Sequence, residues 1–146
     1  MTETHPATRQ TVRLVREAVV IYARAFGMTE ERLDDVRLAV SEAVTNVVLH
    51  AYRNQPGLVH VTARVVDDDL WVLVSDDGRG AHTPPQTPGL GYGLAVITDT
   101  SDEFALLDRA EGGTEARMRF ALRQPSKLRL VGPSPPRADR RRPFSR

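Results

Sequence analysis

The apolar residues of this chain change their period once, and that change limits what the chain can fold into. Before Arg53 they recur at helical spacing, and after Gly57 they alternate. From Thr8 to Phe26 the apolar positions Val12, Val15, Val19, Tyr22 and Phe26 line one side of a helix. Gly27 follows, where glycine adopts a left-handed cap without steric cost. A second helix is predicted after Thr29, whose hydroxyl is expected to cap the first turn, with Glu30 and Glu31 at the positive end of the dipole. Its stripe is Leu33, Val36, Val40, Val44 and Val47. It runs to about Tyr52, where Arg53-Asn54-Gln55-Pro56-Gly57 breaks it.

Beyond the break, Val59, Val61, Ala63 and Val65 alternate with His60, Thr62 and Arg64, which predicts a half-buried strand. Asp67-Asp68-Asp69 turns the chain into Leu70–Ser75, almost wholly apolar and therefore expected at the centre of a sheet. Asp76 to Gly93 reads as loop, with five glycines and three prolines. A short helix is expected from Leu94 to about Thr100. A second hairpin, Phe104–Asp108 with Thr114–Leu122, turns at Glu111-Gly112-Gly113. Helices set apart from hairpins predict an α+β two-layer sandwich, its sheet mixed or antiparallel and its helices on one face.

At 146 residues the chain has the length of a single domain. It contains no cysteine, which excludes disulfides, thiolate metal sites and cysteine nucleophiles. No apolar run is long enough to span a bilayer, and MTETHPATRQ lacks the layout of a secretion signal, so a cytoplasmic protein without membrane contact is expected. Charge is divided unevenly. Residues 123–146 hold eight basic residues against Asp139 alone, and residues 1–122 hold twelve against eighteen acids. The reading is therefore a polar arm at 1–7, a globular domain at 8–122 and a disordered basic tail at 123–146. The acidic body argues against a direct nucleic-acid partner.

Four polar elements interrupt these patterns. Glu42, Asn46 and His50 are spaced i, i+4, i+8 along one face of the second helix. Asn is a poor residue for a helix interior, and its carbonyl oxygen is a hard ligand suited to Mg²⁺. Glu42, one turn earlier, can accept a proton or orient a water. Next comes Asp76-Asp77-Gly78-Arg79-Gly80 at the end of the apolar strand, where alternate glycines permit close backbone approach and a carboxylate can accept from an amine. Gly89-Leu90-Gly91-Tyr92-Gly93 opens a helix, whose N–H groups suit phosphate. Gly112-Gly113-Thr114 leads into the last strand. Taken singly, each is also ordinary turn or helix-surface chemistry.

Together and in this order they resemble the GHKL superfamily of ATPases and kinases, most closely the small anti-sigma factor serine kinases of the RsbW and SpoIIAB kind. The stretch from Ser41 to Tyr52 (SEAVTNVVLHAY) is similar to their Asn-bearing helix, and the two glycine boxes and closing Gly-Thr also match. The resemblance covers roughly residues 8–122 and implies a Bergerat-type fold that binds ATP and Mg²⁺. It implies Asn46 as the Mg²⁺ ligand and Glu42 as the base. Asp76 would bind the adenine amino group, Gly78 and Gly80 would shape that wall, and Thr114 would support the base. Gly89, Gly91 and Gly93 would form the phosphate loop, with His50 near the phosphate end. It further implies a sigma factor and a STAS-type anti-anti-sigma protein as partners, phosphorylation of a serine on the latter, and a homodimer.

Three features depart from that pattern. The residues before the first helix are polar and too few for the strand with which the family usually begins, so that edge strand is expected to be missing. Pro88 stands where relatives often carry a basic or polar residue, which favours a nucleotide-dependent binding switch with little phosphotransfer. The lid from Ala81 to Pro88 is long enough to cover a nucleotide but not to fold by itself.

Overall fold

A computed structural model describes residues 1–52, 55–78 and 90–123. The described chain runs β1 (Thr2–Pro6), α1 (Arg9–Ala25), α2 (Glu30–Asn46), a π turn (Val47–Ala51), β2 (Leu58–Val66), β3 (Asp69–Asp76), α3 (Leu90–Thr100), β4 (Glu103–Asp108) and β5 (Thr114–Ala121). The five described strands form one sheet in the order β1-β2-β3-β5-β4, with every adjacent pair antiparallel. This is the α+β sandwich expected from the pattern, with β3 at its centre.

The expected absence of an edge strand is corrected. Thr2–Pro6 pairs along β2 from Thr2↔Thr62 to Pro6↔Leu58. An edge strand needs a free ladder more than an apolar face, and β2 offers one. The terminal ammonium of Met1 extends the pairing by donating to the Ala63 carbonyl at 2.7 Å.

Alternation along the strands sorts the sheet into two faces. Val59, Val61 and Ala63 of β2, Leu70, Val72 and Val74 of β3, and Ala116, Met118 and Phe120 of β5 form one core with the helices. From α1 the core takes Val15, Val19, Val20 and Ala23. From α2 it takes Leu33, Val36, Val40 and Val44, the stripe read from the sequence. Each fully buried aliphatic side chain of this kind contributes about 1.5–3 kcal/mol. Phe26, expected on the buried side of α1, lies beyond its end and is half exposed.

Gly27 closes α1 with a φ of +82°, as its position predicted. The Thr29 cap is corrected: its hydroxyl makes no capping bond. Instead its backbone joins α2 to the sheet, the carbonyl accepting from Leu33 N–H at 2.9 Å and the N–H donating to the Leu122 carbonyl at 3.3 Å. One turn on, Arg32 is fully buried. It donates to Asp35 at 2.7 Å, to Asp102 at 2.5 Å and to the Ala121 carbonyl at 3.2 Å, and its guanidinium lies 5.8 Å from the Phe120 ring centroid. This ion cluster ties the start of α2 to the end of β5 and the turn after α3.

Candidate nucleotide site

The site lies where α2 ends, β3 ends and α3 begins. Asn46 is the last residue of α2, and Glu42 stands one turn before it, both half-buried. The α3 backbone passes directly over them. A methyl placed on Gly93 would stand 2.9 Å from Glu42 Oε2 and 3.3 Å from Asn46 Oδ1. Any side chain at 93 would displace these oxygens, so a glycine is required there by close approach rather than by an unusual φ. Neither Glu42 nor Asn46 commits its side chain to a hydrogen bond with another described residue.

Gly91 and Gly93, expected in the loop before a helix starting at Leu94, are inside the first turns of α3. Glycine's poor helix propensity concealed this; packing of the glycine backbone on α2 outweighs it. Because first-turn N–H groups lack intrahelical carbonyl partners, that end of α3 still suits an anion.

Asp76 is the last residue of β3. Leu70, Val72, Val74 and Asp76 occupy alternate positions and are all buried, so the carboxylate shares the helix-side face of the sheet. Its Oδ2 accepts from the Thr114 hydroxyl at 2.5 Å and its Oδ1 from the Gly78 N–H at 2.8 Å. A carboxylate has about four acceptor sites, and these two are the side-chain bonds it accepts among the described residues. Among the described residues no cation reaches this side chain. Thr114, assigned by resemblance to the base itself, here holds the acid that would read it. Two glycines make the fit possible. A methyl on Gly78 would lie 2.4 Å from the Ala51 carbonyl oxygen. One on Gly113, where φ is +84°, would lie 1.9 Å from the Asp76 carbonyl oxygen.

Asp77 belongs to the outer face and has a different role. His60 Nε2 lies 2.8 Å from its Oδ2, Arg109 donates to Oδ1 at 2.5 Å, and its N–H donates to the Tyr52 hydroxyl at 2.9 Å. The His60 hydrogen bond first, and Arg109 second, hold its carboxyl below the usual carboxylate range. Tyr52 donates in turn to the Leu58 carbonyl at 2.5 Å, joining the π turn to β2. These ties were not legible from the sequence: Tyr52 closes the quoted helix motif without showing what its hydroxyl does, and Arg109 carries no local signal.

His50 lies in the π turn, which follows the α geometry that ends at Asn46 and winds more widely. Gly80, Gly89, Pro88, the lid and the tail from residue 124 lie outside the described residues.

Among the described residues no group of three His, Asp or Glu side chains is placed to hold a metal. Mg²⁺ takes one or two protein oxygens alongside phosphates and water. The two oxygens facing Gly93 are a hard donor set of that kind. The fold is that of a GHKL-type ATPase domain.

The chain belongs to the family described as Histidine kinase-like ATPase domain, which matches residues 5–120. The anti-sigma F factor of Clostridium acetobutylicum is 32% identical over 120 residues, covering 73% of this chain and 84% of that protein. The anti-sigma F factor of Caldanaerobacter subterraneus is 33% identical over 114 residues, covering 70% and 80%. The solved RsbU and RsbW domains of a Mycobacterium tuberculosis protein superpose with a TM-score of 0.62 at 26% identity, covering 86% of this chain. This chain spans 32% of that longer one. Among the described residues no helix is long and apolar enough to cross a membrane.

Proposed function

We propose that this protein is an ATP-dependent serine-protein kinase acting as an anti-sigma factor in the cytoplasm. It holds a sigma factor and phosphorylates a serine on a STAS-type antagonist. The observation that carries the reading is the close approach of Gly93 to Glu42 and Asn46, which brings a carboxylate and an amide oxygen against the start of α3. The relatives named as anti-sigma F factors supply the partner class. Residues 8–122, with β1 added, form the kinase domain, and 123–146 form its basic tail.

In this reading Asp76, fixed by Thr114 and Gly78, accepts from the adenine amino group and orients the nucleotide. The first-turn N–H groups of α3 bind phosphate oxygens. Asn46 would hold Mg²⁺, which when bound neutralises charge developing on the phosphates. The substrate serine hydroxyl attacks the γ-phosphorus, the bond to the β–γ bridging oxygen breaks, and ADP leaves. Glu42 takes the hydroxyl proton.

Calorimetric titration with ATP and Mg²⁺, with GTP as control, tests the pocket. Transfer of label from γ-labelled ATP to a STAS-type protein, with its serine changed to alanine as control, tests the chemistry. Binding of ATP over GTP together with serine-dependent transfer supports the proposal. ATP binding without transfer would move the assignment to a nucleotide-dependent switch, the outcome that Pro88 favours.

A further inference from the structure

The β3–β5 ladder ends at Ser75↔Glu115, so the next carbonyl of β3, that of Asp76, has no partner on β5. The hairpin between β4 and β5 supplies one. Arg109 Nη1 donates to the Asp76 carbonyl at 2.8 Å and to Asp77 Oδ1 at 2.5 Å, bridging two successive residues of the turn. The hairpin is itself tightly folded, with Arg109 N–H on the Gly113 carbonyl and Gly112 N–H on the Arg109 carbonyl, both at 3.1 Å. Gly113 presses on the same Asp76 carbonyl. The backbone of Asp76 is therefore held from outside while Thr114 and Gly78 hold its side chain.

We propose that Arg109 is a positioning residue for nucleotide recognition, clamping the Asp76–Asp77 turn so that the Asp76 carboxylate keeps its aim at the adenine amino group. The assignment rests on the pocket binding ATP as described above. Arg109 suits the task because one guanidinium nitrogen spans a carbonyl and a carboxylate, and its side chain is only 30% exposed. A lysine in its place offers a point charge on a flexible stem and recovers the clamp in part.

The test compares the full chain with its Arg109→Ala and Arg109→Lys variants in two measurements. The first is amide exchange by NMR, which needs no nucleotide. Gly78 N–H, bonded to Asp76 Oδ1, should exchange about tenfold faster in Arg109→Ala, while Val72 in the central strand keeps its protection. The second is nucleotide affinity. ATP and ADP should weaken equally, by about tenfold in Arg109→Ala, equivalent to about 1.4 kcal/mol, and by less in Arg109→Lys. Equal loss for the two nucleotides places the defect on a part that both share, away from the γ-phosphate. Unchanged Gly78 exchange overturns the proposal, as does faster exchange that extends to Val72 or leaves ATP affinity intact. If the wild-type chain binds no ATP, the pocket reading and with it the recognition role fall, while Gly78 exchange still decides whether Arg109 clamps the turn.

Discussion

Gly93 and Gly27 are both helix-associated glycines, and alanine should weaken binding but not stability at Gly93, and stability but not binding at Gly27. At Gly93 the backbone is helical, so Gly93→Ala gains about 0.5–1 kcal/mol in backbone entropy and propensity. Against this, the new methyl meets Glu42 Oε2 at 2.9 Å and Asn46 Oδ1 at 3.3 Å, closer than the ~3.5–4.0 Å of a comfortable contact. Glu42 can yield by leaving its rotamer at a cost of about 0.5–1.5 kcal/mol. The two terms nearly cancel, so the melting temperature should stay within about 4 °C of wild type. Binding does not share that cancellation. The methyl occupies the point on which the two oxygens converge, and Mg²⁺ demands near-ideal geometry from its few protein ligands. Displacements approaching 1 Å in such sites cost on the order of 10²-fold, so Mg²⁺·ATP affinity should fall by about 10- to 100-fold. Gly27→Ala is the counterpart: nothing lies within 4 Å of its added methyl, but its φ of +82° costs about 1–2 kcal/mol in a non-glycine residue. That variant should melt lower and bind as wild type. Thermal denaturation and calorimetry of both proteins read the four values. A Gly93→Ala protein that binds Mg²⁺·ATP within twofold of wild type would refute the convergence of Glu42 and Asn46 on the ligand. A collapse of its stability would refute the claim that the clash is relieved by side-chain movement.

Asn46→Ala should weaken ATP binding in Mg²⁺ far more than in EDTA, and equal losses in calorimetry would remove Asn46 as the metal ligand. Arg32→Ala leaves Asp35 and Asp102 near one another without their guanidinium, so urea unfolding should show a loss of about 3–5 kcal/mol, and a loss below 1 kcal/mol would contradict the buried cluster. Asp77 is depressed below its ordinary value by His60 and Arg109, so its contribution is present at neutral pH and disappears as pH falls through its folded value, below about pH 4. Since the Asp77 side chain is 52% exposed, solvent screening keeps that contribution small. The stability difference between wild type and Asp77→Asn should therefore shrink on acidification in thermal melts across pH 3–7, and growth of the difference would reverse the sign.

How far the sequence discloses this site depends on whether a residue acts through periodicity or through a distant partner. The α2 stripe is legible because every one of its residues obeys a single period. Asp76 is legible by the same rule. It continues the parity of Leu70, Val72 and Val74, so it faces the helices, while Asp77 faces the opposite side and is drawn into ion pairs. The first turns of α3 are hidden because a run of glycines looks the same whether it is loop or helix, and only the contact with Glu42 distinguishes them. Arg32 is hidden for a related reason. In a polar first turn it looks solvated, and its partner Asp102 lies 70 positions away. The π turn leaves no trace in the pattern of apolar residues, yet it carries His50.

The same parity argument bears on function. A buried carboxylate ordinarily finds a cation or fills its acceptor sites with hydrogen bonds. Asp76 lies within the layer between sheet and helices, and among the described residues it receives one hydroxyl and one N–H and no cation. Thr114 and Arg109 stand close enough to have been alternatives. One donates a neutral hydroxyl to the carboxylate, and the other directs its charge to the backbone carbonyl and to Asp77. Among the described residues the cations thus go to the outer acid, and the inner acid receives only neutral donors. In the proposed function, a carboxylate held by these two neutral donors accepts one N–H of the adenine amino group.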